Sequence, residues 1–289
     1  MRFDYLEAKD VHEAIELLCK YNGRAKVIAG GTDLLLQIRN KALTPEYILD
    51  IAGISGLDYI RYDENHGLRI GALTTIRTLE TSPELQQSYP IISQAASQLG
   101  SVAIRNVATV GGNLCNAMPS AETAQALTAL SARVLIIGPD KERIVSLEDF
   151  FTGVGSTVLE AGELMSEIQV PVLPQNTRGL YVKYSMRGTT ELAIVNVAVV
   201  VTFEPERRPV CKDIKIVLGA VASTPMRPRE AEEILRGKHM DDELINKAAQ
   251  VASEEAHPRS GSIRGSVEYK KAMVKVLTAK LVRQAIASQ

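Results

Sequence analysis

Apolar residues at Val11, Ala14, Ile15 and Leu18 recur at i, i+3, i+4 and i+7, the spacing of one buried helix face. Asp10 stands where it caps that helix, and Glu13 completes a capping box. The period then shortens. Lys26 to Ala29 reads as a short buried strand, Gly30-Gly31 as a turn, Thr32 as an N-cap, Asp33 to Asn40 as a helix and Tyr47 to Ile51 as the next strand. Tyr59 to Tyr62 and Leu68 to Gly71 alternate as strands around Asp63-Glu64-Asn65-His66-Gly67. Helical spacing returns from Thr75 and again over Tyr89 to Leu99.

A strand-like run, Arg105 to Val110, feeds a second Gly-Gly turn at Gly111-Gly112, and Ser120 is placed to cap an Ala-rich helix over Ala121 to Ser131. Arg133 to Ile137 and Glu142 to Val145 read as a hairpin, followed by a strand over Glu163 to Val170. Two prolines interrupt Pro171-Val172-Leu173-Pro174-Gln175-Asn176, which is the expected linker. The division falls there, with residues 1–175 (subdomains 1–55 and 56–175) on one side and 176–289 on the other. Beyond it, Gly179 to Met186, Ile194 to Phe203 and Asp213 to Val221 are Val- and Ile-rich strands. Three helices follow, Pro228 to Arg236, Asp241 to Glu255 and Ser266 to Ala287, the last with an apolar face at Tyr269, Met273, Val276, Leu277 and Leu281.

The two glycine pairs carry the chemistry. Without a Cβ, Ala29-Gly30-Gly31-Thr32-Asp33 and Thr109-Val110-Gly111-Gly112-Asn113 let backbone N–H groups approach an anion, and a helix starting just beyond adds its dipole. A diphosphate is the natural guest. The first loop lacks the Gly-x-Gly-x-x-Gly of a dinucleotide fold, which disfavours a standard Rossmann domain.

Charge and composition narrow the partners. With 33 Lys and Arg against 34 Asp and Glu, nothing favours nucleic acid or an anionic membrane, and the absence of Trp removes stacking platforms. No apolar run approaches the ~20 residues of a membrane span, and the opening Met1-Arg2-Phe3-Asp4-Tyr5 is not a signal peptide, so the cytoplasm is the expected location. Cys19, Cys115 and Cys211 are too scattered for disulfides or an iron–sulfur site, and the four histidines form no zinc-spaced pair. No metal site is expected. A lone Cys115 beside the second loop reads as buried filler, while Arg105 and Arg187 are secondary candidates for reaching a diphosphate.

Ile28-Ala29-Gly30-Gly31-Thr32-Asp33-Leu34 and Ile104-Arg105-Asn106-Val107-Ala108-Thr109-Val110-Gly111-Gly112-Asn113 resemble, in order and spacing, the two flavin motifs of the FAD-binding medium subunit of the molybdenum hydroxylases, the xanthine dehydrogenase and carbon monoxide dehydrogenase family. The resemblance continues through Asn116 to Thr123, Gly219-Ala220-Val221-Ala222 with Pro225 and Arg227, and Arg264-Gly265-Ser266-Val267-Glu268-Tyr269-Lys270. It implies an α+β fold: a two-subdomain FAD-binding domain of the xanthine dehydrogenase/vanillyl-alcohol-oxidase type, then a three-stranded antiparallel sheet plus three helices. It further implies that residues 28–34 (Ile28, Ala29, Gly30, Gly31, Thr32, Asp33, Leu34) and Thr109, Val110, Gly111, Gly112 and Asn113 hold FAD mainly through backbone. Asn116 belongs to the same motif, and Glu122 would accept from cofactor hydroxyls. Met165 matches a position on the adenosine side, Lys183 one near the flavin, and Glu191-Leu192 a mobile segment beside the isoalloxazine.

By the same resemblance the chain is an electron-transfer flavoprotein subunit with no catalytic side chain of its own. It would partner a molybdopterin-binding large subunit and a [2Fe–2S] small subunit in a dimer of heterotrimers, delivering electrons to an external acceptor such as NAD. The rival readings are a stand-alone flavin oxidase or dehydrogenase and a non-catalytic assembly partner. Gly31→Val and Gly112→Val are each expected to abolish FAD binding.

Overall fold

The computed structural model describes residues 3–205 and 209–287, so Met1 and Arg2 of the opening stretch lie outside it. Three hydrophobic cores organise the chain, each built on its own sheet.

The first sheet is parallel, in the order β1-β3-β2, from β1 (Asp4–Glu7), β2 (Ala25–Ile28) and β3 (Tyr47–Asp50). Between them run α1 (Val11–Tyr21) and α2 (Leu34–Arg39). Asp10 caps α1 by accepting from Glu13 N at 2.8 Å, and Glu13 Oε2 accepts in turn from Lys9 N, one residue earlier than a capping box. The turn after β2 delivers the chain into α2 without the expected Thr32 cap; Asp33 occupies the N-cap position and makes no side-chain capping bond.

The second sheet is antiparallel, β4-β5-β10-β6-β7, formed by β4 (Ile60–Asp63), β5 (Gly67–Gly71), β6 (Arg133–Ile137), β7 (Glu142–Ser146) and β10 (Leu164–Val170). Short helices cover it: α3 (Ile76–Thr81), α4 (Pro83–Ser88), α5 (Pro90–Ser97), α6 (Val102–Arg105), α7 (Val110–Cys115), α8 (Glu122–Ala129) and α9 (Leu147–Phe150), with a small hairpin of β8 (Phe151–Gly153) and β9 (Ser156–Thr157). Two expectations change here. The run before the second glycine pair is no strand: α6 ends at Arg105, a turn follows, and only Thr109 is extended, bridged to Thr75, while Gly111-Gly112 lies inside the first turn of α7, capped by Thr109 Oγ1, which accepts from Gly112 N at 3.1 Å. Ser120 does not cap α8; Ala121 takes that position.

The third sheet is an antiparallel meander of β11 (Thr177–Tyr184), β12 (Val195–Phe203) and β13 (Cys211–Gly219), followed by α10 (Arg229–Leu235), α11 (Asp242–Glu255) and α12 (Val267–Ala287). All nine residues of β12 are buried. Val195, Val197, Val199, Val201 and Phe203 face the C-terminal helices, while Ala198 and Val200 join the core of the second sheet. A continuous apolar run is what a strand covered on both faces requires. The helix α8, buried along its whole length, fills the space between the second and third units. The buried stripe of α12 is rotated from the one expected. Lys270, Val274, Leu277, Leu281, Val282 and Ala285 point inward, whereas Val276 and Tyr269 are exposed. A buried lysine lies behind the rotation, because hydropathy patterning assigns any lysine to the outer face.

No helix among the described residues is long and apolar enough to cross a membrane.

Candidate functional site

A cavity of about 770 Å³ opens between the first and second units, within the roughly 300–1,000 Å³ span typical of ligand and cofactor sites. Residues 28–34, Thr109, Gly111, Gly112, Asn113, Asn116, Glu122, Met165 and Leu192 line it. Two sequence candidates do not. Val110 is fully buried beneath the wall, and Lys183 reaches the cavity only through its partners.

The two glycine loops differ in what their backbones offer. In the first, the N–H groups of Gly30, Gly31, Thr32, Asp33 and Leu34 have no hydrogen-bond partner among the described residues. Gly31 holds φ +69°, the left-handed conformation that turns this run back on itself. Five consecutive open amides at the mouth of a helix form an anion cradle. In the second loop the four amides that follow Thr109 are already engaged. Val110 N donates to Thr74 O at 3.0 Å, Gly111 N to Ala72 O at 2.9 Å, Gly112 N to Thr109 Oγ1, and Asn113 N to Thr109 O at 3.0 Å. This loop therefore mainly shapes the cavity and presents side chains, while the first supplies most of the free main-chain donors.

The remaining glycines bring the walls together. A Cβ on Gly30 would lie 1.9 Å from Val107 O, and one on Gly111 would lie 2.7 Å from Ala72 O. Backbone meets backbone at both places. Across the cavity, Gln37 Nε2 of α2 donates to Asn116 Oδ1 at 3.1 Å, and Thr123 Oγ1 donates to Asn113 Oδ1 at 2.5 Å, which orients the Asn113 amide.

Two carboxyls line the site. Desolvation raises Asp33. Burial likewise pushes Glu122 up, opposed by the adjoining Lys183 ammonium and reinforced by the charge of Asp33. Lys183 Nζ donates to Glu122 Oε1 at 2.8 Å, Gln98 O at 2.9 Å and Thr189 O at 3.0 Å, which satisfies all three of its hydrogens. Its side chain is 2% exposed. Through Thr189, Lys183 pins the 3₁₀ turn Gly188–Thr190, and Thr189, Thr190 and Glu191 line the cavity beside Leu192. Leu99, Gly100 and Thr189 were not singled out from sequence; the only signal for them is a glycine ending a helix and another opening a turn.

The two arginine candidates are committed elsewhere. Arg105, buried, pairs with the Glu80 carboxylate and donates to the carbonyl oxygens of Leu99 and Gly100, so it fixes part of the wall without itself lining the cavity. Arg187 is exposed and pairs with Glu191. Cys115 also lines the cavity, and burial pushes its thiol up to about 12. It should stay unmodified by iodoacetamide near neutral pH while the exposed Cys19 is alkylated, because the thiolate is the reacting form. Mass spectrometry after labelling reads this directly; equal labelling of the two would contradict it.

Comparison with known proteins agrees with this geometry. Residues 1–173 match the family model described as FAD binding domain in molybdopterin dehydrogenase, and residues 180–285 match the CO dehydrogenase flavoprotein C-terminal domain. The chain is 32% identical to the glyceraldehyde dehydrogenase medium chain of Sulfolobus acidocaldarius, covering 98% of each. It is 33% identical to the carbon monoxide dehydrogenase medium chain of Afipia carboxidovorans, covering 99% of this chain and 97% of that one. Among solved structures, a chain of the reconstituted CO dehydrogenase from Oligotropha carboxidovorans superposes with a TM-score of 0.94 at 32% identity, covering 100% and 99% of the two chains. Quinoline 2-oxidoreductase from Pseudomonas putida 86 gives 0.91 at 28%, covering 99% and 98%.

Proposed function

Because the chain belongs to the FAD-binding medium subunits of the molybdenum hydroxylases, we propose that it is the electron-transfer flavoprotein of such a complex, taking electrons from an iron–sulfur subunit and passing them to an external acceptor such as NAD. The observation that carries the reading is the row of five open amides, Gly30 to Leu34, facing a cavity closed on its far side by the Thr109–Asn113 loop. That donor set suits a diphosphate, and the neighbouring carboxyls of Asp33 and Glu122 suit sugar or ribityl hydroxyls. Residues 28–34 would hold the phosphates. Thr109, Gly111, Gly112 and Asn113 would shape the opposite wall, with Asn116, Met165 and Leu192 completing it. When bound, FAD supplies the one- and two-electron redox chemistry that this task needs.

The chain's own contribution is position and electrostatics. Lys183 holds the Glu122 carboxylate and the Thr189 carbonyl in fixed places, and Arg105 does the same for Leu99 and Gly100. Residues 1–175 would form the cofactor-binding domain and 176–289 a second domain packed on it. A molybdopterin-binding large subunit and a [2Fe–2S] small subunit would be the partners, in a dimer of heterotrimers in the cytoplasm. The relatives are named for glyceraldehyde and carbon monoxide, so the subunit type does not itself select the substrate.

Titration of the purified apoprotein with FAD should give saturable binding of about one FAD per chain and a protein-bound flavin spectrum. Absence of binding sinks the reading. Co-purification with the two other subunits is the second expected result; substrate turnover by the isolated chain would point instead to a stand-alone flavin oxidase.

A further inference from the structure

Two C-terminal sequence signatures, Gly219-Ala220-Val221-Ala222 and Arg264 to Lys270, lie outside the cavity lining. They meet at Ala220, whose amide reaches Pro119 beside the cavity. Ala220, at φ +62°, directs its N–H to Pro119 O at 2.7 Å and its C=O to Lys270 Nζ at 2.9 Å. Lys270 is 6% exposed, and no carboxylate pairs with it among the described residues. A buried ammonium spent on a backbone carbonyl is costly unless that carbonyl's position matters.

A second contact reaches the same loop from β12. Asn196, fully buried, sets its Nδ2 3.3 Å from Ser120 O, 3.3 Å from Gln125 Oε1 and 3.0 Å from Tyr181 OH. Gln125 Nε2 in turn donates to Pro119 O at 3.1 Å. Gly219 makes room for this amide pair: a Cβ there would lie 1.9 Å from Asn196 Oδ1 and 2.3 Å from Gln125 Nε2. The residues that follow Pro119, namely Ser120, Ala121 and Glu122, all line the cavity.

We propose that Lys270, Ala220 and Asn196 are positioning residues for the cofactor: a brace from the C-terminal sheet and helices that sets the Pro119–Glu122 segment at the cavity wall, so that FAD affinity depends on groups that never line the site. The proposal rests on the FAD reading above. Coupling of this kind is reciprocal, so a ligand that fixes Pro119–Glu122 also steadies Ala220.

The experiment uses the full chain. Lys270→Met should weaken FAD binding about tenfold, within the range usual for coupled sites, and Asn196→Leu should do likewise. Lys270→Arg, which keeps a donor for Ala220 O, should recover most of the affinity. Val282→Ala is the control. It trims the same helix at a core position away from the brace, and should lower the melting temperature while leaving FAD affinity within about twofold of wild type. In the wild-type protein, FAD should slow hydrogen exchange at the Ala220 amide. The brace is overturned if wild type binds FAD and Lys270→Met binds it equally well, if Val282→Ala weakens binding as much as Lys270→Met, or if Ala220 shows no added protection while the cavity loops do. Failure of wild type to bind FAD at all would instead overturn the reading of the site, and the brace with it.

Discussion

Gly30→Ala is expected to lower the melting temperature of the apoprotein and to remove most of its FAD binding, whereas Gly112→Ala should disturb the apoprotein far less than Gly30→Ala and act chiefly on FAD. The new methyl at position 30 would sit 1.9 Å from Val107 O, so it can be accommodated only by parting the two cavity walls. Overpacking of that kind typically costs about 1–3 kcal/mol, or about 5- to 150-fold in affinity if the strain is released by opening the site. At Gly112 the nearest neighbour is Thr109 Oγ1 at 3.0 Å and the rest is open cavity. Its backbone is helical, where alanine is preferred over glycine by about 1 kcal/mol. Differential scanning fluorimetry without cofactor, followed by FAD titration, separates the two cases. A Gly30→Ala apoprotein melting with wild type would show that the walls are not held by this contact.

The sequence treats the two glycine pairs as equals, and the structure divides their work. Spacing and residue type point to both loops, but whether an amide is free depends on what lies opposite. Ala72 and Thr74, which occupy the amides of Gly111 and Val110, stand more than thirty residues away. No local pattern reports such a contact. The same limit hides β1, where Asp4, Tyr5 and Glu7 are exposed and only pairing with β3 makes the segment a strand. Local chemistry is more legible. The Asp10 cap of α1 is read from a neighbour three residues away, and the valine runs of the third sheet from their own composition. Lys270 marks the opposite extreme, since its burial depends on a carbonyl fifty residues earlier and rotates the face that hydropathy assigns to α12.

Lys183→Met should destabilise the protein by about 3–5 kcal/mol, because it leaves the buried Glu122 carboxylate without its counter-charge and frees the Gln98 and Thr189 carbonyls at once. Glu122→Gln should cost less. The amide oxygen still accepts from Lys183, whose other two acceptors are untouched. The acid limb distinguishes this account from a simple packing loss. Burial already raises Glu122, and Lys183 is the charge that opposes the rise, so removing it carries the carboxyl higher still. A carboxyl raised in the folded state binds its proton more readily there than when unfolded, so the stability it carries is greatest at low pH and is lost as pH rises through the folded value. The deficit of Lys183→Met relative to wild type should therefore shrink as the buffer is taken from about pH 8 to about pH 5, as the stranded carboxylate becomes a neutral acid. Urea unfolding of both proteins across that window measures it. A deficit that stays constant with pH would mean that Lys183 contributes through packing and its two carbonyl bonds, with the Glu122 charge already neutral in the native protein.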